Sequence, residues 1–462
     1  MFSQPLPFIK EYLNQLEVAL KQENPHNNLS KIQWCWLAFC LMGILVTNSI
    51  CWAKFERAGL KSYKKMALSA MFRRAKIAWN RLLICSVRAV LRKHGITEGV
   101  LVIDDKDHSR SKNAEKLHHL HKIRDKKTSG YFCGQNIVFL QLVTKKFCIP
   151  VSFAFYSPDP VLTRWQQEVR KLKKLGISKK DRPKEPKRSI EYPKKYTLAL
   201  QLLKNFACEF PAFKVTCVLA DALYGNSLFV DGVEGIWPGV QIITQLRKNQ
   251  KVMRGKKSLS CQEFFEAYKG WNQEIFIRGD KKNVVQAGGA RLYVPSHHKK
   301  RFVIALKYEG ENEYRYLMAA NLSWNMKDVM QGYTLRWLVE VFIEDWSSHC
   351  GFCSLAKQCG VEGSERPLIL SLLFDHCFLF HLSQTNFIKN KLPLATLGSL
   401  VEKSRVDALC QVVREIVEHE NSRELFSNFE KTLDEIFVLR PSRKHLNAVQ
   451  ENVTFESSRK VA

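Results

Sequence analysis

Two short apolar runs, more than a hundred residues apart, each end on an acid. Residues 99–103 run into Asp104 and Asp105, and residues 215–220 run into Asp221. Short continuous apolar runs of this kind read as strands buried on both faces, the pattern of a sheet flanked by helices. Each acid then leaves the C-terminal end of its strand, where open α/β sheets place their sites. Residues 136–143 and 147–155 are two further apolar runs, with Lys145 and Lys146 as the turn between them. Together with the first run they predict a three-stranded meander. The expected fold class is α/β.

The flanking segments read differently. Residues 1–95 predict an all-α N-terminal domain: two apolar-periodic segments, 32–55 and 63–91, joined by a turn at Gly59. The second holds nine Lys and Arg between Lys64 and Lys93. That charge fits a domain that reads DNA ends, and it fits a solvated helix face equally well. Residues 96–235 form the first part of the α/β domain. Residues 236–330 read as a β-rich insertion with five strand candidates and basic turns. Residues 331–385 close the α/β domain, opening on a long amphipathic helix from about 327 to 350. Residues 386–462 form a helical C-terminal region whose last twenty residues read as loose.

Charge narrows the partner. Lys and Arg total 72 against 44 Asp and Glu, a formal net charge of +28. Such an excess fits a polyanion, nucleic acid or an anionic membrane surface, and exceeds what solubility calls for. Between Arg170 and Lys195 lie twelve Lys or Arg and three acids, broken by Pro183, Pro186 and Pro193. This is either a segment that tracks phosphates or a solvated linker. Residues 34–52 are apolar enough to raise a membrane span. A buried helix of the all-α domain is preferred, so no membrane is expected. The 14 cysteines lack regular spacing, and no cleavable signal pattern opens the chain. Free thiols in a reducing cytoplasm are expected. Cys350 and Cys353 have no second pair, which leaves zinc weakly supported.

Acids at strand ends suit phosphodiester chemistry. Two divalent cations about 4 Å apart can activate a nucleophile and stabilise a leaving oxygen together. Hard cations of this kind take carboxylate oxygens. A third acid is expected on a helix packed against the sheet. Tyr333, Arg336 and Glu340 stand at i, i+3 and i+7, sharing one helix face. Alone they read as a surface Arg–Glu pair; beside two strand-end acids they offer a metal carboxylate and a phosphate-binding guanidinium and phenol.

In this combination the chain resembles the cut-and-paste transposases of insertion-sequence family four. Their hallmark is Tyr, two residues, Arg, three residues, Glu, six residues, Lys. Tyr333, Arg336 and Glu340 keep that spacing. Residues 218–226, with Asp221, Tyr224, Gly225 and Asn226, resemble the block around the family's second aspartate, and residues 102–105 the block around its first. The resemblance covers roughly residues 30–385. It implies a ribonuclease-H-like catalytic core and Mg²⁺ held by Asp105, Asp221 and Glu340, with Mn²⁺ as an alternative ion. It further implies phosphate contacts from Tyr333 and Arg336, and double-stranded DNA, both element ends and target, as substrate. A homodimer on DNA and a bacterial, nucleoid-associated location are implied too. Strand alternation sends only one of Asp104 and Asp105 to the site, and the resemblance selects Asp105. Glu344 is a spare carboxylate one turn beyond Glu340, and Trp324 and Trp337 are both candidates to stack on a flipped base. The cluster of His118, His119 and His121 is read as a polar loop. The family lysine falls on Ser347, which keeps a second reading open: a DNA-binding descendant without catalysis.

Overall fold

The computed structural model describes residues 4–59, 63–110, 117–125, 128–277, 281–356 and 358–437. Five helices come first: α1 (Pro7–Glu23), α2 (Lys31–Thr47), α3 (Trp52–Ala58), α4 (Lys65–Arg74) and α5 (Trp79–His94). A capping box starts α2, where Ser30 accepts from the Gln33 amide and Gln33 returns the bond. Asn48 ends it in the left-handed conformation, φ 45°, a position that Asn tolerates better than most residues. The apolar stretch therefore breaks after α2 and resumes at Trp52, giving four helices where two segments were expected between 32 and 91. Every residue from Trp36 to Val46 is buried, so α2 is the central helix of its region. Among the described residues no single helix is long and apolar enough to cross a membrane.

Two arginines of α5 turn inward. Arg81 and Arg88, two turns apart, grip Glu23 at the end of α1 and Glu209 on a later helix. The Arg81–Glu209 pair spans 2.7 Å and the Arg88–Glu209 pair 2.6 Å. Lys93 pairs with Glu11. On α5 the charge is structural, joining the N-terminal helices to the α/β layer.

The sheet follows: β1 (Glu98–Ser109), β2 (His121–Arg124), β3 (Tyr131–Val143), β4 (Cys148–Tyr156), helices α6 (Pro160–Lys174) and α7 (Lys195–Glu209), β5 (Lys214–Ala220), α8 (Ser227–Ile236) and β6 (Gln241–Leu246). β1, β3 and β4 form the antiparallel meander, and β5 and β6 add in parallel on the other side of β1. The core order is thus β4-β3-β1-β5-β6. β1 is longer than residues 99–103 suggested: it runs through Asp104 and Asp105 to Ser109, because β3 keeps pairing with it there.

Residues 241–246, grouped by sequence with the insertion, are the parallel neighbour of β5. The rest of that region is β7 (Lys251–Arg254), β8 (Lys257–Ser260), α9 (Cys261–Ala267), β9 (Trp271–Ile277), β10 (Lys281–Val294), β11 (Lys299–Tyr308) and β12 (Arg315–Ala319). β12 pairs with β6, so these strands extend the core sheet to 12 strands. Helices α10 (Met326–Thr334), α11 (Trp337–His349), α12 (Gly360–Cys377), α13 (Leu382–Lys389), α14 (Leu397–Val417) and α15 (Ser422–Ile436) complete the chain. One apolar core runs from Leu6 to Ala408. The loose tail expected over the last twenty residues lies outside the described residues.

The Arg81–Glu23 contact has a pH signature. Arg81 first, then Arg88, holds the Glu23 carboxyl down to about 2 from its ordinary 4.5. A depressed acid contributes stability above its unfolded value and loses it as pH falls toward the folded one. The thermal midpoint of the wild type should therefore drop between pH 5 and pH 2.5. Glu23→Gln should melt lower at pH 7 and fall less steeply with acid; parallel pH curves for the two proteins would remove Glu23 from this role.

Candidate active site

Register decides which side chains meet. In the parallel β1–β5 pair, Ile103 stands opposite Ala220, so the next residues in line are Asp104 and Asp221. In the antiparallel pair, Asp104 stands opposite Phe139 and Asp105 opposite Val138. Directly opposed residues share a face. Phe139 packs edge-on against Trp346 of α11, ring centroids 5.4 Å apart, so Asp104 faces α11. Asp105 faces α7: its Oδ2 accepts from Lys195 Nζ at 2.7 Å and from Asn136 Nδ2 at 3.0 Å. Asn136 also donates to Asp107, two residues on and on the same face.

The face of Asp104 holds the helix motif. Arg336 Nη1 donates to Asp104 Oδ2 at 2.9 Å, and Arg336 Nη2 donates to Glu340. Tyr333 lies beside the guanidinium, 6.0 Å from ring centroid to Cζ. The expected single helix is broken here. Leu335, Arg336, Leu338 and Val339 each donate to the residue three back, a tight turn of 3₁₀ type between α10 and α11. Three residues per turn stack Tyr333 and Arg336 on one side. Trp346 anchors α11 below them: it is fully buried and its Nε1 donates to Ser371 Oγ at 2.8 Å.

Asp221 opens a turn whose sequence explains its shape. Its Oδ1 accepts from the Leu223 amide at 2.8 Å, an Asx turn. Tyr224 is fully buried. At Gly225 a Cβ would sit 2.4 Å from the Gln245 carbonyl oxygen of β6, so only glycine lets the turn pass. Asn226 caps α8 through the Phe229 amide at 3.0 Å.

Electrostatics tie these groups together. Burial pushes the Asp104 carboxyl up to about 6, against the pull of Arg336, and the charges of Asp221 and Asp105 push the same way. Tyr333 is raised first by burial and also by Asp221 and Asp104. Tyr224 is raised by burial, then by Asp105, Asp221 and Asp104. Its hydroxyl has no hydrogen-bond partner among the described residues. Asp221 and Asp104 thus act on both tyrosines, and Asp105 acts on Tyr224.

The structure therefore brings Asp104, Asp221, Tyr333, Arg336 and Glu340 to one place and turns Asp105, the acid selected by the resemblance, toward Lys195. The physical reason is the unbroken strand: with β1 paired through both aspartates, alternation must separate them. Asn136, Lys195 and Tyr224 had no assigned role in the sequence reading. Tyr224 belonged to the Asp221 block, and the polar Asn136 heading an apolar run was the available signal for the second. Carboxylates are the donors a hard divalent cation takes, but Arg336 now bridges Asp104 and Glu340. Among the described residues no group of three or more His, Cys, Asp or Glu is gathered to hold a metal ion. That includes the histidine loop, where His119 Nδ1 bonds Ser157 Oγ at 2.9 Å and burial holds its pKa down to about 4. Cys350 is buried and Cys353 exposed, both free. Trp337 is exposed on the first turn of α11, Glu344 is solvent-facing, and Ser347 keeps its Oγ buried.

No curated protein matches the chain. Residues 56–262 match the model of a family described as DDE superfamily endonuclease. The matched span holds β1 with Asp104 and Asp105 and β5 with Asp221, and it ends before Glu340. This match supports a DDE-type transposase family for the chain and points to a transposase-like nuclease whose substrate is DNA.

Proposed function

We propose that this protein is a transposase of an insertion sequence, cutting and rejoining DNA phosphodiester bonds with Asp104, Asp221 and Glu340. The observation that carries the reading is Asp104 and Asp221 in line at the end of the parallel pairing of β1 with β5, with Arg336 bonded to both Asp104 and Glu340. The order β4-β3-β1-β5-β6 supports a ribonuclease-H-like core. Asp104 takes the place that the resemblance gives to Asp105, because it shares a face with α11. Asp105 acts as a positioning residue, fixing Asn136 and Lys195 behind the site.

The donor set fits Mg²⁺ or Mn²⁺ in kind: hard carboxylate oxygens, one of them in a half-buried setting that disfavours bare charge. When bound, the metal supplies the positive charge that activates the attacking oxygen and stabilises the leaving one. Arg336 neutralises Asp104 and Glu340 until then, and its planar fork suits a DNA phosphate once released from them. Tyr333 holds that guanidinium against its ring. A homodimer on paired element ends and a nucleoid location belong to the same reading. Ser347, at the family lysine position, favours a second one: a DNA-binding descendant without cleavage.

Nicking of a duplex carrying the DNA that flanks the reading frame, with Mg²⁺, separates the two. Asp104→Asn, Asp221→Asn and Glu340→Gln should each lower cleavage by about a thousandfold and leave DNA affinity nearly unchanged, since affinity comes from phosphate contacts. Asp105→Asn should keep most of the rate. An active Asp104→Asn beside a dead Asp105→Asn would reverse the assignment, and no cleavage by the wild type would favour the descendant. Arg336→Lys should lose about 10- to 100-fold, because a point charge cannot reach two acids or grip a phosphate in plane.

The segment from Arg170 to Lys195 is proposed to track the DNA backbone. It is pinned by Trp165 Nε1 to the Pro183 carbonyl at 2.8 Å and by the Ser189 amide to Asp159 at 2.9 Å. Lys179, Lys180, Lys184 and Lys187 are exposed on it. Changing all four to Gln should weaken binding to every duplex alike and flatten the slope of log affinity against log salt by up to about 3–4 units. An unchanged slope would make the segment a solvated linker.

A further inference from the structure

A cavity of about 740 Å³ lies where the N-terminal helices meet the far end of β1. Among the described residues its wall includes Lys54, Lys65, Arg73 and Arg110 and no Asp or Glu. Arg110 follows the last residue of β1. It is half-buried, and its Nε donates to Gln135 Oε1 at 3.0 Å. Gln135 is itself held by the His118 carbonyl at 2.7 Å and Ser364 Oγ at 3.1 Å. The guanidinium is thus fixed in direction, yet no described carboxylate pairs with it. Burial alone draws its pKa down to about 10. A half-buried cation without a counter-charge is costly, and an anion in the cavity offsets that cost.

The contrast with α5 gives this weight. There Arg81, Arg88 and Lys93 each meet an acid. On α4, Lys65 and Arg73 meet none among the described residues; Arg73 Nε reaches only the Ser69 carbonyl, at 3.4 Å. The fold pairs the cations that build it and leaves these two facing the cavity.

We propose that this cavity is a phosphate-binding site for the backbone of DNA bound at the acids, with Arg110, Arg73 and Lys65 as its contacts. The inference rests on the DNA-processing reading above. Six residue steps, along β1 and one past its end, carry the chain from Asp104 to Arg110, about 20 Å at 3.3 Å per step. That is about six base-pair steps of duplex at 3.4 Å each. A duplex with one phosphate at the acids can therefore lay another in the cavity, and the site would fix how far the flanking helix extends past the cut. The apolar side of the wall, Trp52 and Met66, narrows the cavity without adding charge of either sign.

The test is a salt titration of duplex binding by the full chain. Lys65→Gln with Arg73→Gln changes surface side chains only and should flatten the slope of log affinity against log salt by about 2 units. Arg110→Gln should flatten it further. In parallel, inorganic phosphate and a free deoxynucleotide are titrated into the wild type by calorimetry, and both should bind far more weakly than duplex. An unchanged slope in the double variant, with wild-type duplex binding intact, overturns the cavity site and leaves the DNA-processing reading standing. Tight binding of the free nucleotide with an unchanged duplex slope would make the cavity a nucleotide site and overturn the proposal. Absence of any duplex binding by the wild type would overturn both.

Discussion

A buried carboxylate needs a cation, and in this fold Asp104 has one. Taking an isolated carboxylate out of water costs several kcal/mol even after relaxation. Arg336, 2.9 Å away, offsets that cost, yet burial still raises the acid's pKa to about 6. The pair fixes the rest of the site. To reach Asp104, Arg336 must stand at the head of α11, and the tight turn after α10 puts it there with Tyr333 alongside. Glu340, one helical turn on, then falls within reach of the same guanidinium. A group so placed is neutralised from within.

The sheet supplies the other half. Parallel pairing of β1 with β5 sets Asp104 and Asp221 in line, and Gly225 lets the turn after Asp221 run against β6. β3 keeps β1 extended past both aspartates, so alternation sends the two to opposite faces. Lys195 and Asn136 then satisfy Asp105 on the side of α7. Cations elsewhere follow the same logic: α5 turns Arg81 and Arg88 to Glu23 and Glu209, whereas α4 and the segment after α6 present theirs outward.

Much of this was legible in the sequence. The apolar runs before Asp104 and Asp221 are strands, the meander is where its turn lysines put it, and the Tyr333–Arg336–Glu340 spacing does gather one face. What periodicity could not supply was register. An apolar run shows that a strand exists, but its length past Asp105 depends on β3, a partner more than twenty residues away. The choice between adjacent acids was therefore beyond local pattern. The break at Leu335 and Arg336 escaped for a related reason: neither residue is a helix breaker, and the turn falls where Arg336 reaches a distant partner, Asp104 on β1. Charge counting likewise could not tell the acid-paired Arg81 and Arg88 of α5 from the exposed Arg73 and Arg74 of α4, since both helices read as basic.

The account turns on which aspartate faces the chemistry. Anomalous diffraction from crystals of the protein bound to duplex DNA and grown with Mn²⁺ tests this most directly. A manganese peak contacted by Asp104 and Asp221, with Arg336 moved off Asp104, is the predicted result. A peak contacted by Asp105, with Arg336 still bridging Asp104 and Glu340, would contradict it.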